Sequence, residues 1–239
     1  KDIGLPGNSI TDLYFDNFQN LWVAHNKGLT RFKNGTSKHY TSHEVGNSFP
    51  QCFAEGKFNE IWVGTYGKGV FKVKGDKLTF IPETNGLIVL DIYFNEEEMW
   101  LSTFKNGVLI YDLKTQTIRP IDDSQHLPTK NCRTVFKDSW GGIWIGTSGG
   151  GLLKYGRSSI KSYNGNKGLE GKYIYTVAAS QDSGVWVSTN ARKLYKLNKN
   201  EFVEYGVNQN IYPQKIKAIL DDSKGRLWIG TEGSGLTVW

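Results

Sequence analysis

The segment LWIGTEGSGL, residues 227–236, carries the pattern that decides the fold. Its apolar–Trp–apolar triplet predicts a short β-strand, and the small glycine that follows permits close packing of a neighbouring strand. A threonine then ends the strand, and a glycine-rich turn follows because glycine adopts positive φ without steric cost. The segment therefore predicts a strand, a tight turn and the start of a second strand.

The same pattern occurs six times, at intervals of about 40 residues. The other copies are LWVAHNKGL (21–29), IWVGTYGKGV (61–70), MWLSTFKNGV (99–108), IWIGTSGGGL (143–152) and VWVSTNARKL (185–194). Their tryptophans are Trp22, Trp62, Trp100, Trp144, Trp186 and Trp228, whereas Trp140 and Trp239 fall outside this register. We expect the six repeated tryptophans to fill the space between adjacent sheets, which is a structural role.

Each repeat contains two further predicted strands. One precedes the tryptophan strand, as in SITDLYFD (9–16), and a turn such as DNFQN (16–20) joins the two. A more polar strand ends the repeat, as in SKHYT (37–41). A lone sheet of this size buries too little apolar area to be stable, and radial packing of repeated sheets solves this. The sequence therefore predicts an all-β fold, a β-propeller of about six four-stranded antiparallel blades.

We expect residues 1–239 to form a single propeller domain. The predicted repeats cover approximately residues 4–43, 44–83, 84–124, 125–166, 167–206 and 207–239. The last repeat stops inside its third strand, and only three residues precede the first. We therefore expect the chain to be a piece excised from a larger protein.

Composition limits the remaining possibilities. Hydrophobic residues make up 38% of the 239 residues, which is enough for a real core. The net charge of +6 favours anionic partners, but the lysines are spread through the repeats, so we expect a solvated basic surface and no nucleic-acid site. No apolar run is long enough to span a membrane. Cys52 and Cys132 are expected to be buried free thiols.

The repeats resemble those of the two-component regulator propeller family. The family pattern is G-L-P-x-N followed by a strand, a turn and [LI]-W-[IV]-G-T, and residues 4–23 and 217–236 match it closely. The second, third and fifth repeats depart from it in the turn before the tryptophan strand, at 57–60, 95–98 and 181–184. The fifth also replaces the glycine-rich turn with NARK (190–193), and the first has His25 at the threonine position.

The resemblance implies a non-catalytic sensor. Family members form periplasmic or extracellular propellers that respond to carbohydrate breakdown products, and they generally carry a longer sensor region and a membrane-linked kinase. It implies a small-molecule or oligosaccharide ligand, with anionic sugars among the candidates, and membrane contact only through a segment outside this sequence. A ligand can switch a sensor only if it binds one state of the sensor better than the other. We therefore expect the ligand to shift a conformational or homodimer equilibrium of the parent protein.

The predicted strand order places the ligand site on one side of the sheets. Alternate turns of an antiparallel sheet lie on the same side, so the connections between repeats share a side with the turns after the tryptophan strands. We name this the loop side, and the opposite side the turn side. The connections are the longest and most varied loops, for example 122–131 and 206–215. Ligands usually bind where variable loops lie on a rigid scaffold, so we expect the site on the loop side.

Aromatic and basic residues of the loop side are the candidate ligand-binding residues. Aromatic rings stack on apolar sugar faces, and lysine or arginine pairs with carboxylate or sulfate groups. The candidates are Lys27, Tyr66, Lys68, Phe104, Lys105, Arg133, Lys172, Tyr173, Arg192, Tyr212 and Lys217. For each of them singly, a solvent-exposed position without a binding role is the alternative.

Two other functions remain open. The chain could be a protein-interaction scaffold, since propellers bind partners across the same side. It could also be a propeller lyase, which would need a base near the channel, and His25, His39, His43 and His126 are the histidines available. No HExxH, GxSxG or P-loop pattern occurs, so we expect no enzyme activity and no cofactor. We also expect no metal; the acidic turns at 96–98, 122–123 and 221–222 are the weaker calcium alternatives.

Overall fold

The computed structural model describes residues 4–95, 97–121, 127–138, 140–156, 160–182, 184–206, 215–222 and 224–239. In these residues it contains 23 strands in six antiparallel sheets. Three short 3₁₀ helices accompany them, at Lys57–Asn59, Pro82–Thr84 and Gly165–Lys167. The chain divides into two compact units, Lys1–Ile121 and Asp122–Trp239. The expectation of one domain stays a prediction.

The first unit contains sheets 1 to 3. The strands of sheet 1 are β1 (Ile10–Phe15), β2 (Leu21–His25), β3 (Gly28–Lys33) and β4 (Thr36–Thr41). Those of sheet 2 are β5 (Pro50–Glu55), β6 (Ile61–Thr65), β7 (Val70–Lys74) and β8 (Lys77–Phe80). Those of sheet 3 are β9 (Ile88–Asn95), β10 (Glu98–Phe104), β11 (Gly107–Asp112) and β12 (Thr117–Pro120).

The second unit contains sheets 4 to 6. The strands of sheet 4 are β13 (Cys132–Lys137), β14 (Ile143–Thr147), β15 (Leu152–Tyr155) and β16 (Ile160–Tyr163). Those of sheet 5 are β17 (Ile174–Ala179), β18 (Val185–Thr189), β19 (Leu194–Asn198) and β20 (Glu201–Tyr205). Those of sheet 6 are β21 (Lys215–Asp221), β22 (Leu227–Glu232) and β23 (Gly235–Val238).

Every sheet is a simple up-and-down meander, with neighbouring strands paired in chain order. Five sheets have four strands and the sixth has three, and each matches one sequence repeat. Within each unit the sheets come together at their first strands, since β1 packs beside β5, β5 beside β9, β13 beside β17 and β17 beside β21. The predicted all-β fold, a β-propeller of six blades, is confirmed.

The repeated tryptophans lie between successive sheets, as predicted. The ring of Trp22 in sheet 1 lies 6.3 Å from that of Phe53 in sheet 2, and Trp62 in sheet 2 lies 5.7 Å from Phe94 in sheet 3. Trp144 packs in one buried cluster with Ile174 of sheet 5. Burial of such large side chains supplies much of the apolar area that holds adjacent sheets together. Cys52 and Cys132 are buried and free, which confirms that expectation.

The first and last sheets each expose an apolar face that the inner sheets bury. Leu13 of β1 is 60% exposed, whereas Phe53, at the same position of β5, is 5% exposed. Leu236 of β23 is 63% exposed, whereas Leu152 in sheet 4 is fully buried. The inner positions are buried because a neighbouring sheet packs against them.

Candidate functional site

Backbone hydrogen bonds on the loop side hold the predicted site region together. In sheet 2 the amide of Tyr66 donates to the carbonyl of Phe49, and the amides of Gly67 and Gly69 both donate to the carbonyl of Leu87. In sheet 4 the amide of Ser148 donates to Asn131 in the same way. These bonds join each turn to the adjacent inter-repeat loops, which makes the loop side a fixed scaffold.

A β-bulge occurs near the loop-side end of the first strand of every sheet. The strand pairing skips one residue at each bulge, and that residue has no partner on the tryptophan strand. The skipped residues are Thr11, Gln51, Leu90, Arg133, Tyr175 and Lys217. Bulges re-aim single side chains and are common beside functional sites. Because propellers arrange their first strands around the channel, the three skipped side chains of each unit are candidates for ligand contact.

In the second unit the bulge residues of three successive sheets are Arg133, Tyr175 and Lys217. The ammonium nitrogen of Lys217 lies 4.5 Å from the centre of the Tyr175 ring. The same nitrogen lies 3.1 Å from Oε2 of Glu232, which is also 3.5 Å from the ammonium of Lys215. Lys217, followed by Lys215, holds the pKa of Glu232 below its usual value. The arrangement offers an aromatic ring beside one cation, Lys217, which already has a carboxylate partner.

Sequence reasoning found Arg133 and Lys217 but missed Tyr175. The residue one place earlier in the bulges, for example Ile174, pairs normally with the tryptophan strand. Which residue a bulge releases depends on the pairing register, and the register is not visible in a single strand. Alignment of the six repeats at their tryptophans would have placed Tyr175 beside Lys217 and Arg133 in one column.

The other predicted residues of the first unit lie on the loop side, mostly exposed. Lys27, Tyr66 and Lys68 are exposed in turns, and the stem of Lys68 lies against Gly46 of the neighbouring loop. Lys105 follows Phe104, and its ammonium lies 5.6 Å from the centre of that ring. The structure therefore brings Phe104 and Lys105 together, while their role in binding stays a prediction.

Three predicted residues of the second unit, Lys172, Tyr173 and Arg192, have their backbone in the loops and turns of the loop side. The carbonyl of Lys172 accepts bonds from the amides of Gly149 and Gly151, and the amide of Tyr173 donates to the side chain of Asn190. Arg192 is exposed in the turn after β18 with a left-handed φ of 60°. The exposed side chains of all three remain candidates. Tyr212 lies outside the described residues.

His25 is a buried structural residue. The amide of Lys27 donates to its Nδ1 at 3.2 Å, so Nε2 carries the proton and lies 2.9 Å from Oγ1 of Thr30. Thr30 then lies 2.8 Å from Nδ1 of His39. Burial, with a contribution from His39, lowers the pKa of His25. Both ring nitrogens are engaged, so His25 does not fit the role of a lyase base. His126 lies outside the described residues.

A carboxylate, a tryptophan and a cation form a repeated unit on the turn side. An aspartate of the turn accepts from the indole nitrogen at 2.9 Å for Asp16 and Trp22, 2.8 Å for Asp138 and Trp144, and 2.9 Å for Asp222 and Trp228. A basic residue directly across the strand pair covers four of the tryptophan rings. These cations are Arg31, Lys72, Lys154 and Lys196, on Trp22, Trp62, Trp144 and Trp186 respectively.

These cations change the interpretation of the basic charge. The sequence predicted a solvated basic surface. Some of the basic side chains instead lie over buried indole rings, where the cation stabilises the packing. Sheet 3 has Ile110 at the corresponding position across from Trp100. The basic residues of the repeat are therefore partly structural.

Exposed aromatic residues occupy the same turn position in three sheets. Phe18, Phe58 and Trp140 each lie four residues before the repeated tryptophan, and all three are more than half exposed. Trp140 thus belongs to the repeat, although it seemed out of register in the sequence. A cavity of about 540 Å³ lies next to Phe58, and one of about 230 Å³ lies next to Trp140. Both open on the turn side, which sequence reasoning did not consider as a ligand site.

The first strands of the first unit bring two carboxyl groups near a thiol. Asp12 accepts from the amides of Phe53 and Leu13, which joins sheet 1 to sheet 2. Burial raises the pKa of Asp12 to about 6, with a smaller contribution from Asp91. Burial, together with Asp91 and Asp12, raises the pKa of Cys52 well above its ordinary value. In the described part of the chain no group of three or more His, Cys, Asp or Glu has a metal-binding geometry.

Comparison with known proteins supports the family resemblance. The two component regulator propeller family matches residues 4–27 and 213–233 of the chain. A histidine kinase of Formosa agariphila is 28% identical over 154 residues, which is 60% of this chain and 11% of the kinase. The chain thus spans about a tenth of the length of this curated relative.

Two solved structures have the same fold. The extracellular domain of a hybrid two component system from B. thetaiotaomicron superimposes with a TM-score of 0.86 at 22% identity, over 100% of this chain and 34% of that one. Virginiamycin B lyase from Staphylococcus aureus superimposes with a TM-score of 0.80 at 19% identity, over 98% of this chain and 82% of the lyase. Among the described residues, the helices are all too short and too polar to cross a bilayer.

Proposed function

We propose that this chain is the ligand-binding part of an extracytoplasmic sensor of a two-component system, and that it binds an anionic carbohydrate on its loop side. The observation that carries the proposal is the Lys217 ammonium 4.5 Å from the Tyr175 ring, with Arg133 at the equivalent bulge of the preceding sheet. The similarity to the extracellular domain of a two component system and to a histidine kinase supports the sensor role.

The chemistry of the three residues fits a sugar acid or sugar sulfate. The apolar face of a sugar ring stacks on an aromatic ring such as Tyr175. A carboxylate or sulfate pairs with the guanidinium of Arg133 in a bidentate way and with the ammonium of Lys217 as a point charge. Glu232 already pairs with Lys217, so an anionic ligand would compete with this carboxylate.

Competition with Glu232 gives a simple basis for signalling. Glu232 ends β22, and Lys217 belongs to β21, so their ion pair joins the two strands at the loop side. A ligand that takes Lys217 as its partner separates Lys217 from Glu232 and leaves Lys215 as the partner of that carboxylate. The ligand then favours the state without the ion pair, which is the differential affinity that a sensor needs.

The test is a thermal-shift screen with a uronic-acid disaccharide, a sulfated disaccharide and neutral cellobiose. We expect at least one of the anionic sugars to raise the melting temperature and to be recovered unchanged. Arg133→Ala and Lys217→Ala should each weaken binding by about tenfold or more. Lys224→Ala removes an exposed lysine from the turn side of the same unit and should leave binding unchanged.

Each alternative function predicts a different result. No response to either anionic sugar would contradict the proposal. Consumption of a disaccharide would support a lyase instead. Equal loss of binding in Lys224→Ala would show that net charge, and not the bulge residues, determines affinity.

A further inference from the structure

The turn of sheet 2 lacks the carboxylate that pairs with the repeated tryptophan in sheets 1, 4 and 6. Gly56 lies six residues before Trp62, at the position that Asp16 and Asp138 have relative to Trp22 and Trp144. In sheet 5 this position is Ser180, and Asp221 of sheet 6 accepts from the Trp186 indole at 2.9 Å instead. The Trp62 indole nitrogen has no such partner among the described residues, although Trp62 is only 3% exposed.

An unpaired donor at this depth is unusual in a protein interior. Buried polar groups are nearly always hydrogen-bonded, because burying one without a partner is costly. Trp62 also lines the cavity of about 540 Å³ between sheets 2 and 3, which is within the size range of small-molecule sites. The missing aspartate therefore lies beside a cavity that the Trp62 side chain lines.

The cavity wall has a net positive charge. Four lysines line it, Lys57, Lys72, Lys74 and Lys114, against two glutamates, Glu60 and Glu97. Both glutamates are already engaged, since Glu60 lies 3.4 Å from Lys72 and 3.2 Å from Lys74, and Glu97 lies 3.5 Å from Lys57. With more cations than anions, the wall favours a negatively charged ligand.

An aromatic ring lies at the edge of the cavity. Phe58 is 81% exposed, and its φ of 59° is in the left-handed region, which bulky residues rarely adopt. Such a conformation persists only where the surroundings enforce it, and it is common at functional sites. The Lys74 ammonium lies 6.0 Å from the centre of the Phe58 ring. Phe58 thus presents a flat apolar surface next to a cation.

We infer that the cavity between sheets 2 and 3 is a second ligand site, for a small ring compound that carries a carboxylate. The ring stacks on Phe58, and the carboxylate faces the lysines on the side where the other sheets have an aspartate. This site is on the turn side and does not depend on the loop-side site proposed above. Both sugar acids and aromatic acids have the required chemistry, so the experiment includes one of each.

The test follows the Trp62 indole signal in a proton–nitrogen correlation spectrum during titration with glucuronate, benzoate or uncharged glucose. We expect a saturable shift with at least one of the acids, and at least about tenfold weaker binding of glucose. Glucuronate alone would identify a sugar acid as the ligand class, and benzoate alone an aromatic acid. If neither acid saturates below about 10 mM, the inference is wrong.

Three variants locate the binding. Phe58→Ala should weaken binding of the acid by about tenfold or more, and Lys74→Gln should also weaken it. Phe18→Ala is the matched control, because Phe18 occupies the same turn position in sheet 1, where Asp16 pairs with Trp22. Equal affinity in Phe58→Ala and the unaltered protein, or equal losses in Phe18→Ala and Phe58→Ala, would overturn the inference.

A fourth variant tests the missing carboxylate directly. Gly56→Asp places an aspartate where three other sheets have one, and the φ of −92° at Gly56 is accessible to it. An added Cβ would lie 2.6 Å from the Trp62 indole nitrogen, so the ring must move slightly. We expect the acid to bind at least about tenfold more weakly to this variant. If Gly56→Asp does not fold, the Phe58 and Phe18 variants still decide the question.

Discussion

The indole nitrogen of Trp144 donates to Oδ2 of Asp138 at 2.8 Å, and the same carboxylate binds backbone amides that precede β14. These are the amides of Gly142 and Trp140, and Lys154 lies 3.3 Å from the carboxylate. Burial opposes ionisation of Asp138, but the Trp144 and Gly142 bonds and the Lys154 charge outweigh it and hold its pKa below the usual value.

Asp138→Ala should therefore destabilise the protein. The change leaves the Trp144 indole donor buried without a partner, so we expect the free energy of unfolding to fall by about 2–4 kcal/mol. Urea unfolding followed by tryptophan fluorescence measures this. Asp222→Ala is the control, because Asp222 makes the same bond to Trp228 at a more exposed position. An equal loss in both variants would contradict the role of burial.

Gly146→Ala should weaken the contact between sheets 4 and 5. The added Cβ would lie 2.6 Å from a methyl group of Thr134 and 2.9 Å from one of Ile174 in sheet 5. We expect a loss of about 1–3 kcal/mol in the free energy of unfolding, because the packed neighbours must move. Thermal or urea unfolding measures the loss.

Gly230→Ala is the matched variant in sheet 6. The nearest atom to its new Cβ would be that of Ala218 in the same sheet, at 3.3 Å. Since the three nearest described atoms all belong to Ala218, at 3.3 to 4.0 Å, the cost should stay below about 1 kcal/mol. A cost as large as that of Gly146→Ala would show that the Gly230 face is covered in solution.

Asp12 should make stability depend on pH. Its pKa of about 6 in the folded protein exceeds the ordinary value of 3.8, so the folded state binds the proton more tightly than the unfolded state. Asp12 therefore contributes most stability below about pH 4, and this contribution is lost as the pH rises through about 6. Asp91 and Cys52 lie near it, and His25 changes stability in the opposite direction, so a variant must isolate the effect.

Asp12→Asn provides that comparison. Between about pH 5 and about pH 7.5, the free energy of unfolding should decline less, or rise more, in the variant than in the unaltered protein. Urea unfolding at the two pH values measures the difference. Parallel pH profiles for the two proteins would show that Asp12 titrates normally.

Glu232→Gln tests the competition proposed at the loop side. The change removes the carboxylate that lies 3.1 Å from Lys217, so an anionic sugar no longer displaces a partner. We expect its affinity to rise by about threefold to tenfold at low salt and the gain to shrink as salt is added. Isothermal titration measures both. Weaker binding in Glu232→Gln would mean that Glu232 contacts the ligand directly.

The fold was predictable because one large residue repeats in a fixed local context. Trp22, Trp62 and Trp144 each follow a turn and precede a small residue, and that pattern alone places one sheet per repeat. The site was less predictable. His25 ends β2 at the position where the other repeats have threonine, and its burial depends on a chain of contacts to Thr30 and His39 that the sequence does not reveal.

Two features of the turn side could be predicted by aligning the repeats at their tryptophans. Phe18, Phe58 and Trp140 share one position relative to the repeated tryptophan, so their recurrence was readable from the sequence. The absence of an aspartate at Gly56 was readable in the same way. That this absence coincides with a cavity depends on the three-dimensional packing of sheets 2 and 3, which no single repeat encodes.

The bulge in every first strand places one variable side chain between residues whose strand pairing is the same in each sheet. The six skipped residues include a threonine, a glutamine, a leucine, an arginine, a tyrosine and a lysine, while the residues on either side keep the same pairing in each sheet. Substitutions there leave the hydrogen-bonded ladder intact, so these positions can be exchanged as a set. Given the loop-side site proposed above, we expect a library restricted to these positions to change the ligand preference while the strand pairing stays the same.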